Sequence, residues 1–298
     1  MKSMGIKDFS SQELLQKLDS GKLAVLKTIG ATDLKREMQG VGRLCSAVVR
    51  LACMTGDDAN LRKRATALIR FAAPSKLLGK FPTSKDTIVI GFNHPSLGEV
   101  CRLLYLGFQR YPDRPFLFPV NLPWYEAIVP VIPQLHRLGI RISPMLTPAT
   151  EAKLNQKFAG NEAKLKEVQY LKMVFDRRYV REVKAISEEA GIIFVAPSAT
   201  RQKEIISDPV HPSMTVLAHM VHKGGKRSLF IPVAVFAPVH GNRELNLFRS
   251  YYIEPCKPFR TEEVLDLASG RNREFDYAFL KRIEHTYRSR AKKLKLPD

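Results

Sequence analysis

The sequence lacks any run of about 18 apolar residues, the length an α-helix needs to cross a bilayer. Its longest apolar stretches are broken by Arg50, Glu99 and Arg102, or by prolines. The opening residues, MKSMGIKDFSSQELL, carry no apolar core of the kind a secretory signal has. Any meeting with lipid is therefore expected at a membrane surface. Cysteine is scarce: Cys45, Cys53, Cys101 and Cys256 form no C-x-x-C pair. That argues against a zinc site and for reduced thiols in apolar surroundings. Acidic residues are in deficit, 29 Asp and Glu against 48 Lys and Arg, which leaves a net charge of +19. So basic a surface attracts polyanions: nucleic acid, anionic lipid or an acidic carrier protein. Charge alone does not choose among them. No segment is low in complexity, and 45% hydrophobic residues suffice for one substantial core or a catalytic domain with a smaller helical piece.

Residues 1–80 read as a helical domain. Ser10-Ser11-Gln12-Glu13 opens a short amphipathic helix, and Thr32-Asp33-Leu34-Lys35 opens a longer one through Met38, Val41, Leu44, Val48 and Leu51. A third runs to about Phe71, and no strand is expected in this part. After Pro82 the pattern changes. A short β-branched run occurs at 86–92 and further short apolar runs at 116–120, 140–142, 191–196 and 229–236, with one more expected at 247–253. Helical patterns at 97–110, 124–137, 161–189, 213–223 and 275–294 separate them. Such alternation predicts an α/β fold over 81–298: a mixed, mostly parallel sheet flanked by helices. The last helix ends in a basic run, Arg288, Arg290, Lys292, Lys293 and Lys295.

Two strand ends carry chemistry. The strand at 86–92 leads into Asn93-His94-Pro95-Ser96-Leu97-Gly98-Glu99. In open α/β sheets ligands bind beyond the carboxyl ends of strands. A carboxylate five residues after a histidine, across a strand-to-helix turn, can hold the imidazole in one tautomer. The other ring nitrogen is then able to take a proton from an attacking hydroxyl. The same residues also spell a capping box, Ser96-x-x-Glu99, at a helix start. The two roles are compatible, because a cap would fix Glu99 beside His94.

The strand at 191–196 leads into Pro197-Ser198-Ala199-Thr200-Arg201-Gln202-Lys203. Ser198 and Thr200 supply hydroxyls, and Arg201 and Lys203 supply the charge that a phosphate dianion needs. A solvated basic loop would look the same. A third segment, Ile231-Pro232-Val233, is an apolar strand with an internal proline, which predicts an edge or strand-end position.

Taken in order, Asn93-His94 through Glu99, Phe194-Val195-Ala196-Pro197-Ser198-Ala199-Thr200-Arg201, and Ile231-Pro232-Val233 resemble the conserved blocks of the glycerolipid acyltransferase superfamily. The Ala-Pro-Ser wording and Lys203 look most like the soluble, plastid-type glycerol-3-phosphate acyltransferases, as does Leu146-Thr-Pro-Ala-Thr-Glu-Ala-Lys153. The resemblance covers residues 85–240. It implies His94 as general base and Glu99 as its orienting acid. It implies Arg201 and Lys203 as the grip on an acceptor phosphate, with Asn93, Ser198 and Thr200 also binding substrate. It further implies an N-terminal helical domain, an acyl-coenzyme A or acyl-carrier-protein donor, and no metal or cofactor. The expected compartment is cytoplasmic or plastid-like stromal, or the periphery of an anionic membrane.

The chain departs from that pattern in three places. Glu99 stands where the family has Asp, the second block reads Ser-Ala-Thr-Arg, and the glycine-rich middle block is matched only loosely by Leu138-Gly139-Ile140-Arg141. The expected reaction is acylation of glycerol 3-phosphate. The alternative within the class is acylation of lysophosphatidate or another lipid acceptor. Outside the class stand an inactive relative and a basic nucleic-acid-binding protein. The last would need aromatics interleaved with Arg and Lys, whereas Trp124 lies in a Leu-Pro-Trp-Tyr turn and the basic residues are spread out.

Overall fold

The structure is a computed structural model that describes residues 6–36, 46–47, 49–51, 60–93, 99–197, 205–206, 213–223, 225–237, 250–269 and 273–294. The chain first forms α1 (Ser11–Asp19), α2 (Val25–Thr28), α3 (Thr32–Arg36) and α4 (Leu61–Ala72). Then come β1 (Ser75–Leu77), β2 (Thr87–Phe92), α5 (Glu99–Arg110), β3 (Phe116–Asn121), α6 (Leu122–Ile128), α7 (Ile132–Arg137) and β4 (Ile140–Met145). Next follow α8 (Pro148–Lys157), α9 (Glu162–Glu188), β5 (Ile192–Val195), α10 (Ser213–His222) and β6 (Ser228–Phe236). The last elements are β7 (Tyr251–Pro255), β8 (Phe259–Arg260), α11 (Thr261–Ser269) and α12 (Glu274–Leu294).

Two compact units share these elements. One comprises Met1–Asp57 with Phe118–Glu182, the other Asp58–Leu117 with Val183–Asp298. In the first, α1 begins where its sequence says: the Ser10 hydroxyl accepts from the Glu13 amide at 3.2 Å. Leu14, Leu15 and Leu18 form its buried stripe. Asp19 accepts from the Tyr125 hydroxyl and from Arg178, each at 2.6 Å, which ties α1 to α6 and α9. The Glu126 carboxylate accepts from the Leu26 amide at 2.8 Å. Of the longer helix expected from Thr32, α3 and helical residues at 46–47 and 49–51 are described, and Met38, Val41, Leu44 and Val48 lie outside the described residues.

The second unit is built on a sheet in the order β1-β7-β6-β2-β5, followed by the first two residues of β3. β2 runs parallel to β5 and β6, β3 to β5, and β1 to β7, while β6 is antiparallel to β7 and β8. The α/β class with a mixed, mostly parallel sheet is therefore the one expected. Every residue of β2 and β6 is buried, which is why both read as continuous apolar runs. Helices cover both faces. Ile90 packs with Leu103, Leu106 and Gly107 of α5. Its neighbour Gly91, pointing the other way, lies under Phe279 of α12. Phe108, Phe116 and Phe194 cluster on the α5 side, and Phe230, Phe259, Phe275 and Phe279 on the α12 side, mostly in edge-to-face contacts. Each such buried ring contributes roughly 1.5–3 kcal/mol of transfer free energy.

Two expectations are corrected. Residues 75–77 form a strand, β1, within the stretch read as wholly helical. Three residues are too few to show a period, and β1 is held by its pairing with Tyr251–Ile253 of β7. Pro232 is in a central strand, not at an edge or strand end. On one side it faces Gly91 of β2 in parallel register. On the other it falls between the stretch that pairs with β8, Leu229 and Phe230, and the stretch that pairs with β7, Val233 to Phe236. Its carbonyl accepts from the Cys256 amide at 2.8 Å. The missing N–H thus coincides with a change of partner, and the central ladder tolerates it.

Candidate active site

The three blocks singled out in the sequence lie on neighbouring parallel strands: the first two follow the ends of β2 and β5, and the third is inside β6. Gly91 of β2 pairs with Val195 of β5 and with Pro232 of β6. Phe92-Asn93 and Ala196-Pro197 therefore come off side by side at the carboxyl ends of β2 and β5, while Val233 lies within β6 beside Phe92. His94, Ser198, Thr200, Arg201 and Lys203 lie outside the described residues, as does most of the capping box, Ser96-Leu97-Gly98. What is described is the frame that delivers them.

Asn93 is part of that frame. Its amide donates to the Val235 carbonyl at 2.9 Å, and its carbonyl accepts from the Val235 amide at 2.7 Å. The side chain thus pairs as one more backbone unit and extends the β2–β6 ladder up to the residue before His94. Both hydrogen-bonding atoms of the amide are engaged in holding the strand end. Asn93→Ala is expected to leave the N–H and C=O of buried Val235 without these partners, at about 1–3 kcal/mol for each group. A lower denaturant midpoint with an unchanged slope would register it. Asn93→Asp is expected to fail too, since a carboxylate oxygen would face the Val235 carbonyl.

Glu99 is the first described residue of α5 and is 0% exposed, as is Arg102 one turn later. Arg102 donates from Nε to the Pro74 carbonyl at 3.2 Å, and its guanidinium lies 3.7 Å from the Tyr251 ring centre. Burial lowers its pKa, opposed by Tyr251, Cys101 and Glu99. A buried carboxylate and a buried guanidinium thus share the inner face of α5. The sequence showed Arg102 only as an interruption of an apolar run; its spacing of three from Glu99 was the available signal.

The second block is framed as firmly. The chain leaves β5 at buried Pro197, and the Ser213 hydroxyl donates to the Pro197 carbonyl at 3.0 Å where α10 begins. The Asp276 carboxylate, 1% exposed, accepts from the amides of Met214 at 2.7 Å and Thr215 at 3.4 Å. A carboxylate from α12 therefore caps the first turn of α10 and complements its dipole.

Elsewhere the sequence cues have local explanations. Gly139 takes φ +72° just after α7, and Thr147 caps α8 by accepting from the Thr150 amide. On basic α12, Arg290 meets Glu254 at 2.9 and 3.1 Å, Arg288 meets Glu284 at 2.7 Å, and Arg282 pairs with Glu263. Those three arginines are thereby engaged within the fold, while Lys292 and Lys293 stay exposed. A cleft of about 420 Å³ lined by Ser84, Asp86, Arg227, Ser228 and Thr261 lies at the opposite edge of the sheet, where β2 and β6 begin. Cys101 and Cys256 are half-buried free thiols, and burial pushes Cys256 up. No helix among the described residues is long and apolar enough to cross a membrane.

No protein-family model matches the chain, and no curated protein matches it. Among solved structures it is similar to the 1-acyl-sn-glycerophosphate (LPA) acyltransferase PlsC from Thermotoga maritima. The identity is 14% and the TM-score 0.46, over 90% of this chain and 95% of that one.

Proposed function

We propose that the protein moves a fatty acyl group from a thioester to the hydroxyl of a phosphate-bearing glycerol acceptor. What supports this reading is the delivery of the His94 and Arg201 blocks from the carboxyl ends of adjacent parallel strands, in register at Gly91 and Val195. An acceptor gripped at its phosphate by Arg201 and Lys203 would present its hydroxyl toward the histidine block. His94 takes the hydroxyl proton, with Glu99 holding the imidazole. The oxygen attacks the thioester carbonyl, and the carbon–sulfur bond breaks as the tetrahedral adduct collapses. The imidazolium returns the proton to the departing thiolate. No redox partner is required, and the products are an ester and a thiol.

Glycerol 3-phosphate is the acceptor proposed first, on the Ala-Pro-Ser wording of the second block. Lysophosphatidate is the second reading, because the Ser-Ala-Thr-Arg continuation departs from that wording. The basic surface suits either an acidic carrier protein as donor or an anionic membrane as the source of a lipid acceptor. Thiol release by the full chain, given palmitoyl-coenzyme A or acyl-carrier protein with each acceptor in turn, tests the proposal. Release that depends on glycerol 3-phosphate supports the first acceptor, and release that depends on lysophosphatidate the second. No acceptor-dependent release with any pair would remove the proposal.

A further inference from the structure

We infer that α4 and β1 form a docking face for an anionic lipid bilayer: Phe71 and Leu77 enter the interface, while Lys63, Arg70 and Lys80 lie against the headgroup charge. The inference goes beyond the proposed acyl transfer and does not depend on it.

Charge is uneven along the chain. Residues 59–85 hold seven Lys and Arg and no Asp or Glu. α4 sorts its side chains onto two sides. Leu61 and Ala65 are buried. Arg62 joins them on the inner side: it donates to the Arg114 carbonyl at 3.1 Å, and its guanidinium lies 5.5 Å from the ring centres of Phe108 and Phe116. Lys63, Ala67, Arg70 and Phe71 are exposed, and their helical spacing places them together on the outer side. Phe71 is 76% exposed, the most exposed large hydrophobic side chain among the described residues.

The chain beyond α4 is firmly held. Only Ala73 and Pro74 separate α4 from β1. The Pro74 carbonyl accepts from the Tyr251 amide and from Arg102 Nε, each at 3.2 Å. β1 stands in register with β7 and ends the sheet order, and the Leu78 amide donates to the Ile253 carbonyl at 2.9 Å. Leu77, 42% exposed, is thus presented from a fixed strand shortly after Phe71, with exposed Lys80 just beyond it.

A phenyl ring left in water forgoes the free energy its burial would release. Here the exposed ring is flanked by cations, in a stretch without a single acid. That is the make-up of an interfacial element: Phe and Leu reach the acyl boundary, and the long stems of Lys and Arg keep their charges among the headgroups. An acidic protein would answer the cations alone. A bilayer with anionic headgroups answers the cations and both apolar side chains together.

The test is co-sedimentation of the full chain with vesicles of phosphatidylcholine alone, or of equimolar phosphatidylcholine and phosphatidylglycerol. Wild type should bind the anionic vesicles and not the neutral ones, and less tightly as salt rises. Phe71→Ser should lower the partition coefficient roughly tenfold or more, the worth of one buried phenyl ring. The triple variant Lys63→Gln/Arg70→Gln/Lys80→Gln should lower it on the order of 10²-fold, about fivefold for each cation at the surface. Lys223→Gln/Lys292→Gln/Lys293→Gln removes the same charge from exposed positions outside this face and should keep most of the binding. All these side chains are exposed, so unfolding midpoints should match the wild type. Wild-type binding by Phe71→Ser, or an equal loss in the two triple variants, would overturn the inference. So would a wild type that ignores anionic vesicles, including one that is instead retained on immobilised acyl-carrier protein. Vesicle binding needs no turnover, so a chain that binds vesicles but releases no thiol loses the proposed function and keeps this face.

Discussion

Replacing His94 by alanine is expected to reduce kcat/KM for acceptor-dependent thiol release by about 10²- to 10⁴-fold, the range a positioned general base contributes. The fold should be untouched. The strand that delivers residue 94 is secured before it, by the Asn93–Val235 pair and by six residues of parallel register with β6. Unfolding midpoints for wild type and variant should therefore coincide. The pH profile carries the sign. A base must be neutral to accept the hydroxyl proton, so wild-type activity is present at high pH and lost as pH falls through the imidazole titration. The alanine variant should lose that acid limb and show a flat residual rate. A wild-type rate with His94→Ala would mean that the block at the end of β2 serves only as a strand-to-helix turn.

Which parts of this were legible beforehand follows from physics. Strands buried on both faces announce themselves as apolar runs, so β2, β5 and β6 were found within a residue or two. The Ser10 cap and the long periodic helices α9 and α12 were equally visible. β1 and β8, with three and two residues, carry no period and exist through their partners. Pro232 misled because a ladder's tolerance for a missing donor depends on who sits opposite, and the exchange of β8 for β7 at that point is tertiary information. The site divides the same way. Its blocks were readable in order along the chain, but the adjacency of β6, β2 and β5 was not, because sheet order departs from sequence order. Asn93 drew notice as a substrate ligand by its place beside His94, while its amide serves as sheet backbone. Asp276 caps a helix start more than sixty residues upstream, a pairing no local pattern encodes.

Gly91→Ala is expected to destabilise the protein by about 1–3 kcal/mol or more, although glycine to alanine in a strand is ordinarily favourable. A Cβ at Gly91 would come within 3.0 Å of the Phe279 ring. That ring cannot simply swing aside: Phe279 is 0% exposed and packs against Phe259 at 5.8 Å and Phe275 at 6.0 Å between centroids. The strain therefore passes to α12, which carries Asp276 one turn before Phe279. Asp276 holds the start of α10, and Ser213 there holds Pro197. A methyl group on β2 is thus expected to disturb the anchoring of both ends of the segment bearing Arg201 and Lys203, and the KM for a phosphate-bearing acceptor should rise. The mechanism is checked by a second site. Phe279→Leu alone should cost stability by opening a cavity, but in the Gly91→Ala background it relieves the overlap. The two changes should then fall short of additivity by about 0.5–3 kcal/mol in equilibrium unfolding. Costs that simply add would show that the ring does not transmit the strain, and that residue 91 is linked to α10 by some other route.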